Sequence, residues 1–259
     1  MLDQALIETL MDRAWPASER EDTGGWVLRA SHGVTQRANS VWPRVPSSSD
    51  ADGAAIAGSI RSATQWYQRR RLPLIFQVFD DSRSSNLNAA LDERRFTRQS
   101  ETKIMVRGAD GLALTEPAGV ELSEEVSEEW LQLWWSVDGR GGERELNVAR
   151  GILTACPSLY AMVRDDDGVP AAVGRLALVD GWGGLYSMAT SATHRRRGYA
   201  TQVLDALMAA GAARGLHGFW LLVTAANQGA QSLYSRSGFE ERGSYLYRQA
   251  PLTRAPGGC

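Results

Sequence analysis

A mixed α/β fold, with helices packed on a mixed sheet, is what this chain of 259 residues predicts, and three observations predict it. The runs Leu159-Tyr-Ala-Met-Val163 and Ala171-Ala-Val-Gly-Arg-Leu-Ala-Leu-Val179 read as strands around Asp165-Asp-Asp-Gly168, whose residues favour a hairpin turn. The apolar period then changes from strand to helix and back. Gly184-Leu-Tyr-Ser-Met-Ala-Thr190 is followed by Ala200, Val203, Leu204, Leu207, Met208 and Gly211 at helical spacing, and then by the buried-strand run Phe219-Trp-Leu-Leu-Val223. The third observation is that the first half of the chain repeats part of this order in a worn form.

Taken from the middle of the chain onward, each element has a local reason. Gly108-Ala-Asp-Gly-Leu-Ala-Leu-Thr-Glu-Pro-Ala-Gly119 holds turn formers without a period and is expected to be a linker. Ser123 is expected to cap a helix with Glu124 and Glu125 in its first turn and Val126, Trp130, Leu133 and Trp134 on its apolar face. A second helix is expected from Leu146 to Ala155, then the meander, then the strand, helix and strand above. Asn227 can cap a last helix. The resulting division is a first lobe over 1–107, a linker over 108–120, a catalytic domain over 121–250 and a flexible tail over 251–259.

Composition narrows the function. A net charge of −2 with 22% charged residues draws the protein toward neither nucleic acid nor an anionic membrane. The opening Met1-Leu-Asp-Gln-Ala-Leu-Ile-Glu lacks a basic signal-peptide region, and no apolar run is long enough to span a bilayer, so a cytoplasmic location is expected. Cys156 and Cys259 lie far apart and away from any His at ligand spacing, so neither a disulfide framework nor a metal site is expected.

The segment between strand and helix carries the chemistry. In Ser191-Ala-Thr-His194-Arg195-Arg196-Arg197-Gly198-Tyr199-Ala200, Gly198 stands where a side chain would obstruct, and small Ala200 opens the helix. Successive N–H groups then point at one place with the positive end of the helix dipole behind them, which suits a pyrophosphate. Arg195-x-x-Gly198-x-Ala200, with Asn227, the Leu233-Tyr234 pair and Gly238-Phe239 in order after it, resembles the two signatures of the GCN5-related N-acetyltransferases. The resemblance is strong over roughly 120–248 and weak before that.

That resemblance implies an acyl-CoA N-acyltransferase fold, complete in the carboxyl-terminal lobe, with acetyl-CoA as acyl donor. It implies cofactor contacts from Met188, Ala189 and Thr190 on the strand, from Arg195, Arg196, Arg197, Gly198, Tyr199 and Ala200 in the loop, and from Asn227. A backbone N–H near Met188 to Thr190, exposed where the strand bulges and splays from its neighbour, is expected to meet the thioester carbonyl. Tyr234 occupies the position from which a phenol protonates the leaving thiolate; it also has an ordinary reading as a core tyrosine at helical spacing with Ala230. Asn227 is equally explained as a helix cap. The basic run at Arg195 to Arg197 is assigned to phosphate rather than nucleic acid, and Arg69-Arg-Arg71 to the negative end of a helix with face Ile56, Ile60, Ala63 and Tyr67.

No general base stands out. Glu143 and Glu145 suit a helix's opening turn, Asp180 a hairpin turn, and His32 and His217 turn or helix-end positions. The acceptor is expected to be a primary amine of a small or amino-acid-like molecule, attacked directly, in a monomer or homodimer; the alternative is a non-catalytic acyl-CoA sensor. Seven tryptophans, Trp26, Trp42, Trp66, Trp130, Trp134, Trp135 and Trp182, are available for an aromatic wall, although most tryptophans simply bury themselves.

In the first half, Leu72 and Phe76 stand 144 residues before Leu216 and Trp220, and Phe96 stands 143 before Phe239. This half is therefore expected to be a partial repeat of the same fold. Its segment Val41-Trp-Pro-Arg-Val-Pro-Ser-Ser-Ser-Asp-Ala-Asp-Gly53 offers prolines without N–H donors and two acids where a pyrophosphate would sit, and Leu91 matches Tyr234. Loss of acyl-CoA binding follows. In tandem relatives of this kind the inert lobe walls the acceptor site; Arg29, Arg37 and Asn39 are candidates for that role, but are expected to lie on the solvent face of a hairpin.

Overall fold

The hydrophobic periods become the elements they predict, in the computed structural model, which describes residues 3–44, 53–81, 84–112 and 118–251. In chain order these are α1 (Gln4–Ala14), β1 (Glu19–Asp22), β2 (Trp26–Ala30), β3 (Trp42–Pro43), α2 (Gly53–Arg69), β4 (Ile75–Phe79), α3 (Ser85–Glu93) and β5 (Thr97–Gly108). There follow β6 (Val120–Ser123), α4 (Glu128–Asp138), α5 (Glu143–Thr154), β7 (Ser158–Arg164), β8 (Pro170–Val179), β9 (Trp182–Thr190), α6 (Tyr199–Ala213), β10 (Gly218–Thr224), α7 (Gln228–Arg236) and β11 (Glu240–Gln249). No helix among the described residues is long and apolar enough to cross a membrane.

The chain divides into two compact units. The first comprises Met1–Pro16, Ile104–Val223 and Asn227–Arg242, and the second Ala17–Lys103, Thr224–Ala226 and Gly243–Cys259. The division does not fall at one linker: α1 joins the first unit, and β5 and β11 each give residues to both. Of the expected linker, residues 113–117 lie outside the described residues, as do 252–259 of the expected tail and 45–52 of the proline-containing segment.

In the first unit β6, β7, β8 and β9 are successive antiparallel neighbours, β10 lies parallel to β9, and the end of β5 borders β10. Helix α6 lies on one face, where Val203, Leu204 and Leu207 share a core with Leu176, Leu185, Leu221 and Tyr234. Helices α1 and α4 both pack against β8 and β9, and α4 brings buried Trp130 and Trp134. Two expectations change here. Ser123 ends β6, opposite Tyr160, and its hydroxyl accepts from the Glu125 N–H; the helix cap is Ser127, which accepts from the Trp130 N–H at 3.2 Å. Strand pairing overrode the capping signal, which shifts the helix so that Leu131 is fully buried and Leu133 only partly so.

In the second unit β1, β2 and β3 form a small antiparallel sheet, β11 lies between β4 and the start of β5, and Val41 bridges Phe76 in parallel. The solvent-face expectation for Arg29 and Asn39 is wrong: they are 2% and 3% exposed. Arg29 donates to the Ser40 carbonyl, the Ser40 hydroxyl and Gln77 Oε1, while Asn39 accepts from the Ser31 and Gly33 N–H groups and donates to the Val34 and Thr35 carbonyls. Polarity suggested exposure, but internal hydrogen bonding permits burial. Arg37 is half-buried.

The repeat is visible in atomic detail. Helix, strand, helix, strand recurs as α2, β4, α3, β5 and as α6, β10, α7, β11. Both first helices end on a left-handed residue, Arg71 at φ +55° and Gly215 at +75°, beyond which Leu72 N–H donates to the Tyr67 carbonyl and Leu216 N–H to the Gly211 carbonyl. Both second helices do the same, with Arg95 at φ +58° and Gly238 at +83°, where Phe96 donates to the Leu91 carbonyl and Phe239 to the Tyr234 carbonyl, each at 3.0 Å. The paired six-to-one bonds set Leu91 and Tyr234 at equivalent places.

Gly218 lets β10 begin against β5, because a Cβ there would lie 2.6 Å from the Arg107 carbonyl oxygen and 2.8 Å from the Trp182 ring. Since the nearer atom is backbone, Gly218→Ala should destabilise the fold by roughly 1–3 kcal/mol, the usual range for overpacking. Thermal denaturation checks this, and an unchanged melting temperature would show that β5 yields without strain.

Candidate functional site

The site grows from a mismatch between two strands. Tyr186 of β9 faces Arg175 of β8 and Ala189 faces Val173, so Ser187 and Met188 together oppose the single residue Gly174. This is a β-bulge, with Ser187 in the left-handed region at φ +54°. Gly174 is required opposite it: a Cβ there would meet Met188 Sδ at 2.5 Å and Val203 Cγ1 at 2.6 Å. The Gly174 carbonyl accepts from Trp130 Nε1 at 3.2 Å, a nitrogen shared with the Ala161 carbonyl at 3.0 Å.

On its other edge β9 pairs with β10 from Trp182–Gly218 to Leu185–Leu221, and that register ends just before the bulge, although both strands continue. Ser191 N–H donates back to the Ala171 carbonyl. By the alternation of an antiparallel ladder, the N–H groups of Thr190 and Met188 therefore point away from β8, toward the side where β10 has diverged.

The loop follows directly. A 3₁₀ turn over Ala192–His194 leads through Arg196 at φ +62° to Gly198 at φ +86°, which caps α6. The Gly198 carbonyl accepts from the Thr201 and Gln202 N–H groups, and no atom lies within 4 Å of where its Cβ would be. Among the described residues, the N–H groups of Arg195 to Ala200 have no protein acceptor. Six donors at the positive end of a 15-residue helix, with the exposed side chains of Arg195, Arg196 and Arg197 around them, form an anion cradle. Tyr199 and Ala200 open the helix as expected.

The cradle is fastened at its base by residues that sequence reading passed over. His194 is buried, with Nε2 2.8 Å from Asp165 Oδ2 and Nδ1 against the Ser191 hydroxyl; its ring packs on Tyr199. An ionised carboxylate only accepts, so Nε2 carries the hydrogen. Asp165 sits in the β7–β8 turn and also accepts from the Asp167 and Val169 N–H groups. The His194 contact first, and then these backbone bonds, hold its carboxyl below the ordinary carboxylate range. The hairpin chemistry of Asp165-Asp-Asp-Gly168 was legible, whereas its second function, 29 residues from His194, left no local signal.

Helix α7 supplies the remaining positions. The Asn227 side chain accepts from the Ala230 N–H at 3.1 Å, so its cap reading is complete. Tyr234 is buried in the α6–sheet core, with Phe239 edge-on at 6.2 Å, so its core reading holds for the ring. Its hydroxyl has no hydrogen-bond partner among the described residues, and burial pushes the phenol up to about 12.

A splayed parallel pair, a bulge and a donor-lined loop at a helix start are accompanied by similarity to known proteins. The family model described as probable histone acetyltransferase Rv0428c, C-terminal, matches residues 5–248. The chain belongs to the GCN5-related N-acetyltransferases. It is 30% identical over 258 residues to the uncharacterised N-acetyltransferase YobR of Bacillus subtilis, across 96% of this chain and 99% of that one. A GCN5-related N-acetyltransferase structure from Kribbella flavida has the same fold, with a TM-score of 0.71 at 20% identity over 96% of each chain. So has a tandem protein of this family from the clavulanic acid biosynthesis pathway, with a TM-score of 0.66 at 12% identity over 96% of this chain and 89% of that one.

In this acetyltransferase two of the acid candidates for a general base are engaged by other groups. Glu145 accepts from the Gly142 N–H, which holds its carboxyl low; Asp180, between β8 and β9, pairs with Arg13 of α1; and Glu143 is exposed. His217 packs on Trp182 and His32 is exposed. Cys156 is buried against the Pro157 and Leu178 carbonyls, and burial pushes its thiol up.

The Asp165–His194 contact gives a prediction with a definite sign. Because the Asp165 pKa is depressed in the fold, its contribution is present above the ordinary carboxylate range and is lost as pH falls through the lower folded value. Asp165→Asn should therefore weaken acetyl-CoA binding several-fold, by about 3- to 10-fold for a charge-assisted bond of this kind, between pH 6 and 8. Parent and variant should converge only at acid pH. Calorimetric titration decides the matter: equal affinities at pH 7 would free the loop from any need of this clasp.

Proposed function

We propose that this enzyme transfers acetyl from acetyl-CoA directly to a primary amine of a small or amino-acid-like acceptor. The observation that carries the reading is the set of six unpaired N–H groups from Arg195 to Ala200 at the start of α6, continuous with the opening between β9 and β10. The loop fits a pyrophosphate, and the free edge of β9 fits an extended amide-bearing arm, which adds to a strand edge through the same bonds as a strand. The donor, when bound, supplies an acetyl group activated as a thioester.

The chain's own groups then divide the work. The N–H groups of Met188 and Thr190 face the opening, where either can stabilise charge developing on a carbonyl oxygen. As the amine nitrogen forms the C–N bond and the C–S bond breaks, Tyr234, whose proton burial keeps in place well above neutral pH, gives that proton to the departing sulfur. The proton lost by the nitrogen passes to solvent, from which the phenol is restored. A thiol as protected as Cys156 is no ready nucleophile, which supports attack by the amine itself over a covalent acyl-enzyme. Asn227 and the three arginines complete the cofactor contacts.

Three measurements test this. Tyr234→Phe should lower turnover roughly 10²-fold with acetyl-CoA affinity nearly unchanged, the usual contribution of a general acid; undiminished turnover removes Tyr234 from the chemistry. Gly198→Val puts a β-branched side chain at φ +86°, with roughly 1–3 kcal/mol of strain, in the open space before the cradle. It should abolish acetyl-CoA binding while the circular-dichroism spectrum persists. Mass spectrometry of a panel of amines, amino acids, aminoglycosides and lysine peptides incubated with acetyl-CoA identifies the acceptor class. Acetylation of the peptides alone would overturn the small-molecule reading, and tight acetyl-CoA binding without any product would favour an acyl-CoA sensor.

A further inference from the structure

On the sheet face opposite α6, the first unit buries a cation with no carboxylate partner among the described residues. Arg175 of β8 is completely buried, between its cross-strand neighbours Tyr160 on β7 and Tyr186 on β9. Its Nε donates to the Ser158 hydroxyl at 2.9 Å and its Nη1 to the Ala14 carbonyl at 3.0 Å, while Nη2 has no acceptor among the described residues. The guanidinium lies 5.9 Å from the rings of both Trp15 and Tyr186.

Ala14 is the last residue of α1 and Trp15 its C-cap. Arg175 therefore caps the negative end of a helix that arrives from a distant part of the chain. Trp15 in turn stacks on Tyr186 at 5.5 Å, and the Tyr186 hydroxyl accepts from Trp220 Nε1 of β10 at 3.1 Å. Tyr186 is the residue immediately before the bulge, so one connected set of contacts runs from α1 through Arg175 to the point where β9 and β10 part.

Burying an unpaired guanidinium is unfavourable, and an apolar residue of similar volume would fill the same space more stably. Packing alone does not account for it. A planar fork that reaches two acceptors while offering its faces to aromatic rings fixes orientation, which a methionine cannot do.

We propose that Arg175 is a positioning residue for acetyl transfer: it locks the carboxyl end of α1 onto Tyr186 and so fixes the β9 bulge and the N–H groups beyond it. The inference rests on the reading of that bulge as the carbonyl-binding segment. Arg175 touches neither the phosphate loop nor α7 in any described contact, so donor binding should survive its loss.

The test compares the full-length parent with Arg175→Met, Arg175→Lys, Trp15→Leu and the Arg175→Met/Trp15→Leu double variant. Amide exchange over residues 182–190 should be at least tenfold faster in Arg175→Met while α6 stays protected, with the acetyl-CoA dissociation constant within threefold of the parent. With the amine that the parent acetylates fastest in the panel, kcat should fall tenfold or more at unchanged KM for acetyl-CoA. Arg175→Lys, which can reach one acceptor but not both, should recover part of it. The double variant should be no slower than the slower single variant, because both substitutions break one linkage. Parental exchange and kcat in Arg175→Met, or losses that multiply in the double variant, would overturn the proposal. If Arg175→Met does not fold, Trp15→Leu carries the same exchange and kcat criteria. A parent that acetylates nothing would defeat the functional reading instead, while the exchange measurement would still judge the link between Arg175 and the bulge.

Discussion

The site depends on β9 carrying one more residue than β8 can pair. A strand held on both edges has no free N–H to offer, and a pair of parallel strands leaves no gap between them. The extra residue at Ser187 and Met188 changes both conditions together, since it re-aims the backbone beyond Tyr186 where the register with β10 stops. Much nearby chemistry serves this defect. Gly174 makes room for Met188, Trp130 satisfies the Gly174 carbonyl, and Tyr186 is gripped from both sides just before the break. These contacts hold the residues around the bulge, and fixed geometry is what oriented N–H groups require.

The two halves show what the fold demands and what the chemistry demands. Both end their helices with the same hydrogen bonds, and Arg71 and Arg95 adopt the left-handed conformations of Gly215 and Gly238 in spite of their side chains. The fold therefore needs that geometry more than it needs glycine. Chemistry separates at the equivalent of Tyr234. Leu91 is fully buried and places no polar atom there, whereas Tyr234, with its ring in the core, carries a hydroxyl there, and burial of the residue pushes its phenol up to about 12. A core needing only volume has no use for a hydroxyl at that place.

Much of this was legible before any coordinates. The meander, the strand before the loop, α6, β10 and α7 stand where the periods put them, because each buries one face against a neighbour close in the chain. The loop was legible for a similar reason: Gly198, Ala200 and the helical repeat after them are contiguous. What escaped was set by partners far away in sequence. Ser123 looked like a cap until β7 claimed it as a strand end, Arg29 and Asn39 looked exposed until their acceptors were counted, and α1 gave no sign that it belongs with residues more than a hundred positions later. Asp165 had a sufficient local explanation as a turn residue, which hid its contact with His194.

The residues that were hardest to read have something in common. Arg175, Asp165 and His194 lie outside any signature, and each ties a segment of the site to an element distant in sequence. Signatures mark atoms that meet the ligand, whose identity the chemistry constrains. The groups that hold those atoms still are constrained only by geometry, which different folds of the same chain length meet in different ways. A cation buried with no carboxylate partner among the described residues, beside the strand that must keep its bulge, therefore points to the requirement for fixed geometry more directly than any motif does.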